Sequence, residues 1–124
     1  GGLSATILDY ARFCQMILNG GELDGVRILS PTTVRMMGRD NLGEDVDFGG
    51  GNRFGLGFLV HTDAVKSRHV SGEGTLSWGG FWHTDFWIDP EEELVGILMT
   101  QILPATGLDD HAKFRTLAYQ AIVD

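Results

Sequence analysis

Apolar side chains recur at helical spacing between residues 5 and 19, at Ile7, Leu8, Ala11, Phe13, Cys14, Ile17 and Leu18. Asp9 and Arg12 fall on the opposite side, so the pattern predicts an amphipathic helix. Asn19-Gly20-Gly21 ends it, because glycine enters the left-handed C-terminal position without steric penalty. Glu22 to Leu29 reads as a turn at Asp24-Gly25 with short extended flanks. Ser30-Pro31 opens a second, shorter helix: Ser30 caps, Pro31 sits where no amide donor is needed, and Val34, Met36 and Met37 pack.

The stretch 38–53, rich in Gly, Asp and Asn, is predicted to be an exposed loop. Four strands follow in the pattern. The first runs from Phe54 to His61, the second from Thr75 to Phe81, and the third from Asp85 to Asp89 with Phe86, Trp87 and Ile88 packing on both faces. The fourth, Leu94 to Gln101, is almost wholly apolar and suits a sheet centre. Asp89-Pro90-Glu91-Glu92-Glu93 forms a polar turn between the last two, a solvated hairpin end. A closing helix from Asp109 to Val123 carries Ala112, Leu117, Ala118, Ala121 and Ile122 on one side. Strands joined by short turns pair antiparallel. The expected class is therefore α+β, an antiparallel sheet of three to four strands flanked by helices, in a single unit over residues 1–124.

Charge narrows the partners. Seventeen acidic residues against nine basic ones give a net charge of −8, a field that repels phosphate backbones, so no nucleic-acid partner is expected. No apolar run approaches the ~20 residues needed to span a bilayer. The single cysteine, Cys14, excludes an internal disulfide and any multi-cysteine metal site. His61, His69, His83 and His111 stand at separations of 8, 14 and 28 residues, without the i, i+4 pair of a helical zinc motif. They read as scattered surface histidines, and no metal is expected.

A self-contained active site is missing from the sequence. None of the serines at 4, 30, 67, 71 and 77 is followed three residues later by lysine, the arrangement that sets nucleophile and base one helical turn apart. Thr75-Leu76-Ser77-Trp78-Gly79 approaches a G-x-S-x-G elbow, but threonine replaces the first glycine and the segment feeds a strand, so Ser77 reads as a strand serine. Gly49-Gly50-Gly51-Asn52 lacks the lysine and the following helix of a phosphate-cradling loop.

One constellation does carry meaning. Trp78-Gly79-Gly80 precedes Phe86-Trp87-Ile88-Asp89-Pro90 and the run to Thr100-Gln101. Upstream stand Gly2-Leu3-Ser4-Ala5-Thr6, Asp9-Tyr10-Ala11-Arg12-Phe13, Leu18-Asn19-Gly20-Gly21-Glu22-Leu23-Asp24-Gly25, Leu29-Ser30-Pro31 and Phe54-Gly55-Leu56-Gly57-Phe58. In order and spacing these resemble the C-terminal half of the serine hydrolases that include class C β-lactamases, penicillin-binding proteins and family VIII carboxylesterases.

The resemblance implies an incomplete β-lactamase/transpeptidase-like fold, with residues 1–124 as one C-terminal fragment. It maps the third active-site motif onto Trp78, Gly79 and Gly80, where glycine lets a substrate pass along a strand edge. It puts an oxyanion-hole donor at the Phe81 backbone amide, a group typically worth ~3 kcal/mol in the transition state. Trp78 becomes a wall of the acyl pocket in place of a cation that binds a β-lactam carboxylate, and Trp82 joins the substrate-binding set. At Phe81-Trp82-His83-Thr84 the relatives usually carry small residues and glycine, so two aromatics here narrow the pocket.

The family's Ser-x-x-Lys and Tyr-x-Asn lie upstream of anything matched; Tyr10 and Tyr119 are followed two residues later by Arg12 and Ala121. The expectation is thus a serine hydrolase acting on a small ester or amide through an acyl-enzyme, without metal or organic cofactor. This chain alone is expected to be inactive, and to self-associate or pair with the missing N-terminal part. The alternative is a non-catalytic scaffold that keeps the sheet for binding or assembly.

Overall fold

Thr6 starts the first helix with a reciprocal cap. Its hydroxyl accepts from the Asp9 N–H at 3.2 Å, and the Asp9 carboxylate accepts from the Thr6 N–H at 3.3 Å. The computed structural model describes residues 2–67 and 70–123. Helix α1 (Ile7–Leu18) buries Cys14, Met16 and Ile17, with Tyr10 and Phe13 partly buried beside them. Ile7 and Leu8, apolar by the same periodicity, stay exposed.

Strands β1 (Glu22–Leu23) and β2 (Val26–Arg27) form a hairpin whose two turn residues, Asp24 and Gly25, have φ of 51° and 76°. Positive φ at both central positions is the type I′ geometry that matches strand twist. Helix α2 (Pro31–Met37) is capped by Ser30, whose hydroxyl accepts from the Thr33 N–H at 3.0 Å.

The main sheet is an antiparallel meander of β3 (Asn52–Phe54), β4 (Leu59–His61), β5 (Leu76–Gly79), β6 (Asp85–Asp89) and β7 (Leu94–Leu98), in that spatial order. A four-residue helix, α3 (Ala64–Ser67), lies between β4 and β5, and α4 (Asp110–Gln120) closes the chain.

The class is α+β as expected, but with five strands instead of three or four. The apolar run 54–61 is a hairpin, not one strand. Gly55 donates its N–H to Phe58 O at 2.8 Å, and Gly57 has φ 88°. A Cβ on Gly55 would stand 1.9 Å from Met37 O, so glycine there lets the turn dock on the end of α2. The preceding loop is organised by Arg53, which pairs with Asp40 at 2.6 Å and donates to Gly43 O at 3.0 Å and to Val46 O.

Register sorts the sheet into two faces, since side chains alternate along a strand. Leu76, Ile88 and Val95 lie abreast, as do Trp78, Phe86 and Ile97. This apolar face carries Val60 and packs on α1. The other face holds Ser77, Trp87 and Gly96 abreast, flanked by Asp85 and Asp89, and it receives α4.

Helix α4 does not pack with the side expected from its apolar residues. Leu117 and Ile122 are exposed, while Arg115 is buried and Phe114 and Tyr119 are partly buried. The facing sheet carries two carboxylates, and a buried carboxylate must be met by donors. Arg115 pairs with Asp85 at 3.4 Å, and the Tyr119 hydroxyl donates to the fully buried Asp89. Asp89 also accepts from the N–H groups of Glu91 (3.0 Å) and Glu92 (3.2 Å), which sets the β6–β7 turn.

Burial raises the Cys14 thiol to about 12, and burial and then the neighbouring Cys14 raise Tyr10 to about 12. Both groups are held neutral in the fold, whereas an unfolded Cys ionises near ~8.5 and Tyr near ~10. Their contribution is complete below those values and is lost as pH climbs toward 12. The expected result is a denaturation midpoint that falls between pH 8 and 11, with an onset that Cys14→Val delays. A midpoint flat across that range contradicts the assignment.

Candidate active site

The loop joining β5 to β6 closes with Gly80 N–H donating to Thr84 O at 2.9 Å and His83 N–H donating to Gly80 O at 3.1 Å. Among the described residues, the non-glycine residues at positive φ are Asp24, His83 and Glu93. Phe81 and Trp82 therefore take negative φ, and the loop is a type I turn followed by a left-handed residue, His83 at φ 65°. The Phe81 N–H donates to neither bond of the turn. The side chains of Phe81 and Trp82 stand largely in solvent, 72% and 48% exposed, with rings edge to face at 5.4 Å.

The strand leading into this loop has one open edge. β4 pairs with β5 only at Leu59↔Ser77 and Val60↔Leu76, so Trp78 and Gly79 have no β4 partner, whereas β6 supports them at Trp78↔Phe86 and Gly79↔Asp85. Trp78 is 45% exposed and meets Phe54 edge to face at 5.0 Å. A pocket of about 200 Å³ opens here, lined by Tyr10, Trp78, Gly80, Thr84, Phe86 and Met99 among others. A Cβ on Gly80 would stand 2.0 Å from Thr84 Oγ1 but 3.4 Å from Thr84 Cβ, so a larger residue there requires the Thr84 hydroxyl to rotate aside. On Gly79 the nearest contact would be 3.4 Å, an ordinary separation, so close packing is no reason for glycine there.

Trp78, Gly79, Gly80 and Phe81 are thus brought together on one hairpin end. Trp82 shares that end but does not line this pocket.

A second cleft, about 360 Å³, lies on the α4 face and is lined by Leu59, His61, Ser77, Asp85, His111 and Arg115 among others. Ser77 is only 4% exposed there, and its Oγ lies 3.2 Å from His61 Nε2 across β4 and β5. It is a buried strand serine.

The histidines are not scattered on the surface. His61 is buried, and His83 and His111, 28 residues apart in sequence, stack with ring centroids 3.8 Å apart and planes 18° from parallel. His69 lies outside the described residues. His83 Nε2 donates to Asp110 Oδ1 at 2.8 Å, which holds the Asp110 carboxyl below the usual carboxylate range. His111 Nε2 donates to His83 O at 3.2 Å, and the Thr100 hydroxyl donates to the same carbonyl. Spacing alone gives no hint of this cluster. The available signal was a histidine at the loop position glycine usually takes.

The chain matches a known family. The Beta-lactamase family model matches residues 1–120, and the chain belongs to that family. Protein Rv1367c of Mycobacterium tuberculosis is 39% identical over 120 residues, which cover 88% of this chain and 30% of that protein. The chain thus spans about 30% of the length of its curated relatives. Among solved structures, EstCE1, a hydrolase with promiscuous acyltransferase activity, superposes with a TM-score of 0.73 at 24% identity, over 86% of this chain and 27% of that one. The LovD6 mutant of simvastatin synthase from Aspergillus terreus gives 0.74 at 21% identity, over 90% and 32%. At these identities the superpositions establish the fold alone.

Proposed function

We propose that this chain supplies the third-motif strand and the oxyanion-hole amide of a serine hydrolase that works through an acyl-enzyme. The nucleophile and its base lie in a part of the protein outside residues 1–124. The observation that carries this reading is the open β5 edge at Trp78 and Gly79, which runs directly into a loop where the Phe81 N–H stays out of the turn's own hydrogen bonds. A substrate laid along that edge meets backbone instead of side chain at Gly79 and Gly80, and its carbonyl oxygen is offered the Phe81 N–H.

Trp78 presents an apolar ring where the β-lactam carboxylate partner would stand, so small neutral esters or amides suit the pocket better than acidic β-lactams. The relatives, about three times longer, leave room for Ser-x-x-Lys and Tyr-x-Asn upstream. EstCE1, with its acyltransferase activity, makes transfer of the acyl group to an alcohol a natural companion reaction. The remainder of the protein packs on the free edge of β7 and the exposed side of α4, and the chain by itself self-associates through those surfaces.

The full-length protein carrying this chain is expected to release p-nitrophenol from p-nitrophenyl butyrate with a pre-steady-state burst of about one equivalent per active site, the mark of an accumulating acyl-enzyme. A well-folded full-length protein with no turnover of esters or amides favours the scaffold role instead.

A further inference from the structure

We infer that His83, Asp110 and His111 form a binding site for a divalent transition-metal ion of zinc type, which clasps the β5–β6 loop to the first turn of α4. Two imidazoles and one carboxylate are a common protein set for such an ion, with a fourth position left for water. One ligand atom from each of the three residues lies within 4.8 Å of the others. The 2.8 Å between His83 Nε2 and Asp110 Oδ1 opens by roughly 0.6 Å to reach the ~3.4 Å that separates neighbouring ligands of a tetrahedral ion with bonds of ~2.1 Å. The ion takes the place of the proton these two atoms share, and the His111 ring, stacked on His83 with planes 18° from parallel, turns out of the stack to bring a ring nitrogen in line with it.

Part of the setting is already in place. The bond from His111 Nε2 to His83 O is the kind of outer hydrogen bond that fixes a ligating imidazole, and it leaves Nδ1 for the ion. The same carbonyl is steadied by Thr100. The backbone at His83, with φ 65°, favours glycine, so the loop gains nothing from an imidazole there. What the side chain gains is its contact with Asp110 and His111. The site is separate from the acyl-transfer reading and uses none of its groups.

The test is calorimetric titration of Zn²⁺ into tag-free, chelator-treated full-length protein, with Co²⁺ as an optical probe. The expected result is one ion per chain, visible ligand-field bands for Co²⁺, and a higher melting temperature with zinc. His83→Gly and His111→Gln each weaken binding by on the order of 100-fold. Asp109→Asn, whose parent carboxylate pairs with Lys113 at 2.9 Å, binds as wild type does. His83→Gly suits the loop backbone and so folds, which keeps the test decisive even if His111→Gln does not. Absence of stoichiometric binding, or binding that survives both histidine substitutions, overturns the assignment.

Discussion

Replacing Gly96 with alanine is expected to destabilise the protein by about 3 kcal/mol, the upper end of what overpacking a filled core usually costs. A Cβ at that position would stand 2.1, 2.2 and 2.4 Å from three atoms of the Trp87 indole. Trp87 cannot yield. It is fully buried, with Phe114 at 5.4 Å and Tyr119 at 6.3 Å between ring centroids and the Arg115 guanidinium 4.8 Å from its ring centroid. Glycine at the centre of β7 normally weakens a strand, and here it makes room for the largest side chain on the α4 face. Thermal melts should show a fall of several degrees, and Trp87→Leu introduced beside Gly96→Ala should show non-additive recovery. A melting temperature unchanged by Gly96→Ala contradicts the packing described.

Phe81→Pro in the full-length protein is expected to lower kcat for an ester by about 10²–10³-fold with little change in KM, the signature of a lost oxyanion donor. Phe81 is the first central residue of a type I turn, the position at which proline is favoured, and its N–H makes neither of the loop's bonds. Its ring is 72% exposed, so little packing is lost. The substitution therefore removes one donor and leaves the backbone path intact. Phe81→Ala retains the amide and should retain most of the activity, which separates the role of the N–H from that of the ring. Equal losses in the two variants would assign the effect to the side chain and remove the amide from the mechanism.

Much of this architecture is legible in the chain itself. The Thr6 to Leu18 periodicity, the Asp24-Gly25 turn, the Ser30-Pro31 helix start and the polar turn after Asp89 all announce themselves through local chemistry, and each appears where that chemistry puts it. Trp78-Gly79-Gly80 is singled out by resemblance, and the pattern places it on a strand, where Leu76–Gly79 is found. The split of the run 54–61 into two strands was hidden, because Phe54, Leu56 and Phe58 alternate with glycines as a single strand would, and the clash of a Gly55 Cβ with Met37 O is a long-range fact. The packed face of α4 was hidden for a different reason. Hydrophobic periodicity looks for an apolar stripe, whereas the sheet presents Asp85 and Asp89 and selects Arg115 and Tyr119. The His83–Asp110–His111 cluster depends on the closure of a hairpin against a helix 27 residues downstream, a contact no local pattern encodes.

The nucleophile is located by labelling the full-length protein with a fluorophosphonate serine probe, followed by peptide mapping of the adduct. One adduct is expected, on a serine outside residues 1–124 that is followed three residues later by lysine. An adduct on Ser77 or any other serine of this chain, or a folded protein that takes no label, contradicts that expectation.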